Sequence, residues 1–305
     1  MDKPRRRFLG QLSVIAGAVA LNQPLTSFAS ERRPIRLPSS GAGNNVAIYH
    51  TNDLRGNVSA IGKPLSEKNA GAILLDGGGF LDSTGNLDDQ LRVIDKMNRL
   101  GYHAATIGKN ELALGTEKLA QLAGKMNFAL VNCNYVLDNR LSSFIKPYII
   151  MYAGKIKVGV TGVGQPHRGL TCNDAVTSLN KMASRLKERE KCDLVICLSH
   201  LGNKKAQHTT DNYQLAQQSE NVDLIIGGDN HKMLIGPGIE RNKLNQEVVL
   251  GQAGWDGLMV GKIIAGFDDL NNKTATEAAH IITGQHLSNK MAVAFQAIQS
   301  AKRVA

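Results

Sequence analysis

The sequence predicts an α/β layered domain, on three observations. Short runs of apolar residues recur between residues 46 and 268, and they are apolar throughout rather than alternating, as in strands buried on both faces. Segments with helical spacing of apolar residues separate these runs. Polar, glycine-containing stretches follow directly after them, where α/β folds carry function.

The elements follow in order. VAIYH (46–50) and AILLD (72–76) read as buried strands. Asn86 can cap a helix whose Leu87, Leu91, Ile94 and Met97 make one face. AATIG (104–108) is the next strand, and Thr116 can cap a helix through Leu119 and Leu122. FALVN (128–132) and KVGVTGV (157–163) are strands. A helix with Ala175, Leu179, Met182 and Leu186 on one face leads into DLVICLSH (193–200). A polar helix near 211–219 leads into VDLIIGG (222–228), and EVVLGQ (247–252) and LMVGKIIAGFD (258–268) follow. Residues 287–305 read as a C-terminal helix or tail, and no internal repeat is visible.

The chain has 305 residues with 36 Lys+Arg against 26 Asp+Glu, a formal charge of +10. Its 42% hydrophobic content excludes a disordered chain, and four cysteines are too few for a disulfide scaffold. Residues 1–29 have the parts of an export signal: Arg5-Arg6-Arg7-Phe8-Leu9, a weakly apolar run to Leu21, and small residues at Ser27 and Ala29. The Arg-Arg-x-Phe-Leu pattern resembles a twin-arginine signal. The apolar run is too short to span a bilayer. Lys3, Arg5, Arg6 and Arg7 against Asp2 give the signal a net +3, which leaves +7 for an exported, periplasmic or extracytoplasmic chain. Residues 30–45 are rich in Pro, Ser, Gly and Arg and read as a linker. No aromatic residues interleave with the basic ones, which argues against nucleic acid as a partner, and no segment forms a stable membrane span. Cys192 and Cys197 flank an apolar run and read as core residues.

Function is expected in the loops after the strands. These carry Asp53-Leu54-Arg55-Gly56, Gly77-Gly78-Gly79, Gly108-Lys109-Asn110-Glu111, Ser199-His200-Leu201-Gly202 and Gly228-Asp229-Asn230-His231. HTNDLRG (50–56), LLDGGGFLDSTG (74–85), IGKNELALG (107–115), LSHLG (198–202), VDLIIGGDNHKML (222–234) and GQAGWDGLMVGKI (251–263) occur in the order found in the calcineurin-like metallophosphatases. The chain resembles the N-terminal domain of secreted 5′-nucleotidases over about residues 46–268. The resemblance implies a single α/β/β/α sandwich, taken as residues 46–286, and a centre of two metal ions that clamp a phosphate and activate water. It also implies that any nucleoside-binding C-terminal-type domain is encoded separately.

Position by position, the resemblance fails at much of the metal centre. Asp53, His200 and His231 match family ligands, and Glu111 matches. Arg55 stands for a ligand His, Gly79 for the bridging Asp, Lys109 for the ligand Asn, Asn110 for the catalytic His and Asp229 for another ligand His. A glycine cannot bridge two metals, and an ammonium beside a divalent cation costs Coulomb energy. Arg55 and Lys109 are expected to sit near the lost metals, pair with Asp53, Asp229 and Glu111, or hold an anion such as a phosphoester. The bland readings are that Asp53 caps its turn, Glu111 caps a backbone amide and the two histidines are satisfied loop residues.

Three functions follow. In one the chain is a non-catalytic anion- or partner-binding module without a metal cofactor. In the second it is a phosphomonoester or nucleotide hydrolase with one Zn²⁺ or Mn²⁺ on Asp53, His200, Asp229 and His231. In the third it is structural and takes no small ligand.

Overall fold

The computed structural model describes residues 34–38, 44–202, 210–229 and 237–283. The expected export signal, the C-terminal helix or tail and His231 lie outside the described residues.

Among the described residues, fourteen strands form two sheets of seven. In chain order they are β1 (Ile35–Leu37), β2 (Asn45–Thr51), β3 (Ile73–Asp76), β4 (Ala104–Ala105), β5 (Ala129–Val131), β6 (Ile145–Lys146), β7 (Tyr148–Ala153), β8 (Ile156–Gly164), β9 (Leu194–His200), β10 (Leu224–Gly227), β11 (Gly238–Arg241), β12 (Glu247–Gly251), β13 (Met259–Phe267) and β14 (Lys273–Ile282). One sheet runs β1-β7-β8-β9-β10-β12-β11 and the other β14-β13-β2-β3-β4-β5-β6. The centres of both are parallel: β8 through β10 to β12 in the first, β2 through β6 in the second.

Three apolar clusters mark the layers. Between the sheets, Ile48, Ile73 and Leu75 of one meet Val158, Ile196 and Ile226 of the other. Outside the second sheet, Tyr49 and Leu74 pack under the helix Leu87–Leu100 through Ile94 and Met97. Outside the first, Val195 and Ile225 pack under the helices Ala175–Ser184 and Asn212–Gln218 through Leu179 and Leu215. This is the α/β/β/α sandwich. Strands covered on both faces must be apolar at every position, which is why the runs in the sequence do not alternate. Cys192 and Cys197 are both buried in the third cluster, as expected.

The local signals are confirmed in part. Asn86 caps its helix, accepting from the Asp89 amide at 2.9 Å. Thr116 does not cap: the helix starts at that residue and Gly115, at φ 80°, holds the cap position. The expected linker contains β1, an edge strand parallel to Met151–Ala153, with Arg36 stacked 4.5 Å from the Tyr152 ring centroid. Its Ile-Arg-Leu needs only one neighbour, so three residues suffice. β6, β7, β11 and β14 lie outside the expected strands. β11 and β14 are edge strands with mixed polar sequences, and the pattern of a doubly buried strand does not find them.

The parallel strands end on a common rim, and the seam between the sheets there contains a buried histidine. His50 of β2 lies opposite Gly261, whose missing side chain makes room for the ring. Burial, and then neighbouring His280, lower its pKa from 6.5 to about 3. Between those values the unfolded chain takes up a proton that the folded chain refuses, so stability falls as pH falls. Urea titrations are expected to show a midpoint that drops from pH 7 to pH 4, and His50→Leu is expected to flatten that slope.

Candidate functional site

Three loops at the strand ends are tied together by backbone hydrogen bonds. After β2, the Asp53, Arg55 and Gly56 amides donate to the Gly78, Gly79 and Phe80 carbonyls after β3, each at 2.9 Å. The Asp256 amide donates to the Asp53 carbonyl at 2.8 Å. Asp53, Arg55, Asp229 and Asp256 all have positive φ, between 45° and 60°. They are half of the non-glycine residues so strained among those described, and such strain gathers where a site is held in place.

His200, at the end of β9 and 1% exposed, sits at the centre. Cβ atoms on Gly78, Gly79 and Gly228 would stand 2.8, 3.0 and 2.7 Å from its ring, and one on Gly108 would collide with Nε2. The ring is thus wedged among three turns that must be glycine. Its Nδ1 lies 2.9 Å from the Gly77 carbonyl oxygen. A carbonyl only accepts, so Nδ1 carries a proton, and in the neutral ring Nε2 presents a lone pair. Asp76 braces the glycine turn, accepting from the Gly78 amide at 2.7 Å and from Thr51 Oγ1 at 2.6 Å. Burial pushes its carboxyl well above the usual range.

Nε2 is buried and has no hydrogen-bond partner among the described residues. It lies 4.0 Å from Asp53 Oδ1. Ligand atoms of Asp53, His200 and Asp229 all fall within 4.8 Å of one another, the one such group among the described residues. A buried acceptor left over beside a carboxylate is what a metal ligand leaves, and the second ring nitrogen held by a carbonyl is the usual support for it. The donor set fits one divalent metal and does not fit the expectation of no metal. At Gly79 a Cβ would be 3.0 Å from both Asp53 Oδ1 and His200 Cε1, so no side chain of that residue could reach between them without moving one of them.

The two cations separate. Lys109 Nζ lies 2.5 Å from Asp229 Oδ1, so Lys109 pairs with an acidic residue of the site as expected. Arg55 does not: its Nε and Nη2 grip Asp256 Oδ1 and Oδ2, both at 2.7 Å. The cause is local. Arg55 and Asp256 lie on two turns joined through Asp53, and the planar fork matches that carboxylate. Nor does a cation neutralise Glu111. It is fully buried and accepts from the Gly79, Leu81 and Gly108 amides at 3.0, 2.8 and 2.8 Å, which is the capping reading. Burial raises its pKa. Asn110 Nδ2 donates to the Leu81 carbonyl at 3.0 Å. Asp53 does not cap its turn. Its Oδ2 accepts from the Asn52 side-chain amide and from the Asp229 backbone amide, both at 2.9 Å.

Two residues of the site were not anticipated. Gln165 donates from Nε2 to Asp229 Oδ2 at 2.8 Å. It follows β8, so the rule that selected the other loops would have found it. Asp256 is the partner of Arg55, and only its Gly-Trp-Asp-Gly turn hinted at it.

No family model matches the chain. It is 26% identical over 277 residues to the trifunctional nucleotide phosphoesterase protein YfkN of Bacillus subtilis, covering 74% of this chain and 18% of that one. It is 27% identical over 146 residues to the NAD 5′-nucleotidase of Haemophilus influenzae, covering 44% and 23%. The chain thus spans under a quarter of the length of these two relatives. A 5′-nucleotidase precursor from Thermus thermophilus superposes with a TM-score of 0.68 at 21% identity, covering 78% of this chain and 54% of that one. The crystal structure of the calcineurin-like phosphoesterase YfkN superposes at 0.58 and 20% identity, covering 85% and 97%.

Gly108→Ala tests the wedge. The added methyl must move the His200 ring, and such overpacking costs about 1–3 kcal/mol. Urea denaturation is expected to show that loss, whereas the same change at Gly115, where positive φ adds strain but nothing lies within 4 Å, leaves the His200 imidazole NMR signals unmoved.

Proposed function

We propose that this chain, a calcineurin-like phosphoesterase related to the N-terminal domains of 5′-nucleotidases, binds a phosphoester anion at a one-metal site and lacks the machinery for efficient turnover. The Lys109 ammonium on Asp229 carries this reading. It stands where the resemblance places a neutral amide ligand. Two unit charges 4 Å apart interact by about 4 kcal/mol at an effective dielectric near 20, and a divalent ion doubles this, so a second metal there is opposed.

Asp53 and His200, with Asp229, would hold the metal. When bound, such an ion polarises a phosphoryl oxygen as a Lewis acid. The chain's own residues supply the rest. Lys109 is 49% exposed and spends one of its three N–H donors on Asp229, which leaves donors for a phosphoryl oxygen. Turnover needs a proton for the leaving group. An amide does not supply one, and Asn110 is tied to the Leu81 carbonyl. Glu111 is occupied by three backbone amides. That general acid step is worth about 10²–10⁴ in rate.

Two further expectations belong to the same proposal. A separately encoded nucleoside-binding domain would complete the ligand's site. The protein is exported, by the reading of residues 1–29; no helix among the described residues is long and apolar enough to cross a membrane.

A second reading, hydrolysis at the same single metal, is favoured by the unpartnered His200 Nε2, whose placement suits a working ligand as well as a relic. Zinc or manganese would serve. Elemental analysis together with assays on p-nitrophenyl phosphate and AMP separates the readings. The binding reading expects about one equivalent of metal and hydrolysis at least about a hundredfold below that of a two-metal relative. One equivalent with strong activity, abolished by chelation and by His200→Ala, supports the second. Two equivalents with chelator-sensitive turnover refutes both.

A further inference from the structure

We infer that Lys109 is an internal lock on the metal site, and that its release couples metal binding to anion binding. The inference rests on the one-metal reading and goes beyond it. Asp229 is one of the three residues whose ligand atoms converge, yet both its carboxylate oxygens are engaged. Oδ1 accepts from Lys109 at 2.5 Å and Oδ2 from Gln165 at 2.8 Å, while its backbone amide is held by Asp53 Oδ2 at 2.9 Å. Each carboxylate oxygen keeps a second lone pair that could reach a divalent cation beside Asp53 and His200, so the conflict is one of charge: the metal would share Asp229 with the Lys109 ammonium.

The two donors are unequal. Gln165 is neutral, and its backbone carbonyl is fixed by the Tyr135 hydroxyl at 2.8 Å. Lys109 carries a charge that repels the incoming metal and sits on a flexible, half-exposed stem. The lysine therefore leaves. Arg55 does not compete, because its fork is closed on Asp256.

A displaced Lys109 stays tethered at the first turn of the short helix Lys109–Ala113, beside the metal, without a counter-ion. An anion that bridges metal and ammonium restores the balance. Metal without anion is thus bound weakly, and metal with phosphate is bound tightly. By linkage, the metal raises phosphate affinity by the same factor.

Calorimetric titration of Mn²⁺ into the metal-free full chain tests this, with and without inorganic phosphate. Wild type is expected to bind Mn²⁺ about tenfold more tightly with phosphate, within the usual range of coupling between sites. Lys109→Gln is expected to bind Mn²⁺ about tenfold more tightly than wild type without phosphate and to lose most of the phosphate effect. Lys109→Arg, which keeps a cation on Asp229, is expected to retain the weak, phosphate-dependent binding. Circular dichroism verifies that each variant is folded. If Lys109→Gln binds Mn²⁺ no more tightly than wild type, or shows an equal phosphate enhancement, the lock is refuted while the one-metal reading stands. If neither protein binds Mn²⁺ under any condition, both fail.

Discussion

The packing of glycines around the His200 ring is the constraint on which the site depends. Gly78, Gly79, Gly108 and Gly228 come from three separate strand ends, and each approaches the imidazole as closely as a residue without a side chain can. The contact fixes the ring, the Gly77 carbonyl fixes its proton on Nδ1, and Nε2 is left facing Asp53. It also draws the loops after β3, β4 and β10 to the end of β9. The buried carboxylates beneath serve this arrangement: Asp76 holds the Gly78 amide, and Glu111 holds the amides of Gly79, Leu81 and Gly108. Their cost of burial is offset by backbone donors rather than by cations.

The balance of charge decides what the site can accept. The chain's +10 suggests an electropositive pocket, but the arrangement is otherwise. Arg55 is spent on Asp256 and Lys109 on Asp229. No Lys or Arg among the described residues pairs with Asp53, which keeps its carboxylate 4.0 Å from an imidazole lone pair. On the one-metal reading, the site takes one cation and the Lys109 ammonium opposes a second.

Much of this was legible in the sequence, and the failures have physical causes. Doubly buried parallel strands require unbroken apolar runs, so the central strands and their order were readable. The edge strands β1, β11 and β14 face solvent or a single neighbour, and their sequences carry no such demand. Three of the four residues expected to hold a single metal, Asp53, His200 and Asp229, do converge. Partner choice was harder. Whether Arg55 turns to Asp53 or to Asp256 depends on the strained Asp256 turn, 201 residues away along the chain, and no spacing rule reports it. Gln165 was missed only because the loop after β8 was passed over.

On the one-metal reading, one cation site remains where the family resemblance implies two. The most direct measurement is anomalous diffraction at the Mn absorption edge from crystals grown with Mn²⁺ and phosphate. One strong peak in contact with Asp53 and His200 is expected, with Lys109 turned from Asp229 toward the anion. Two peaks about 3.5–4 Å apart, as in two-metal phosphoesterases, would contradict it.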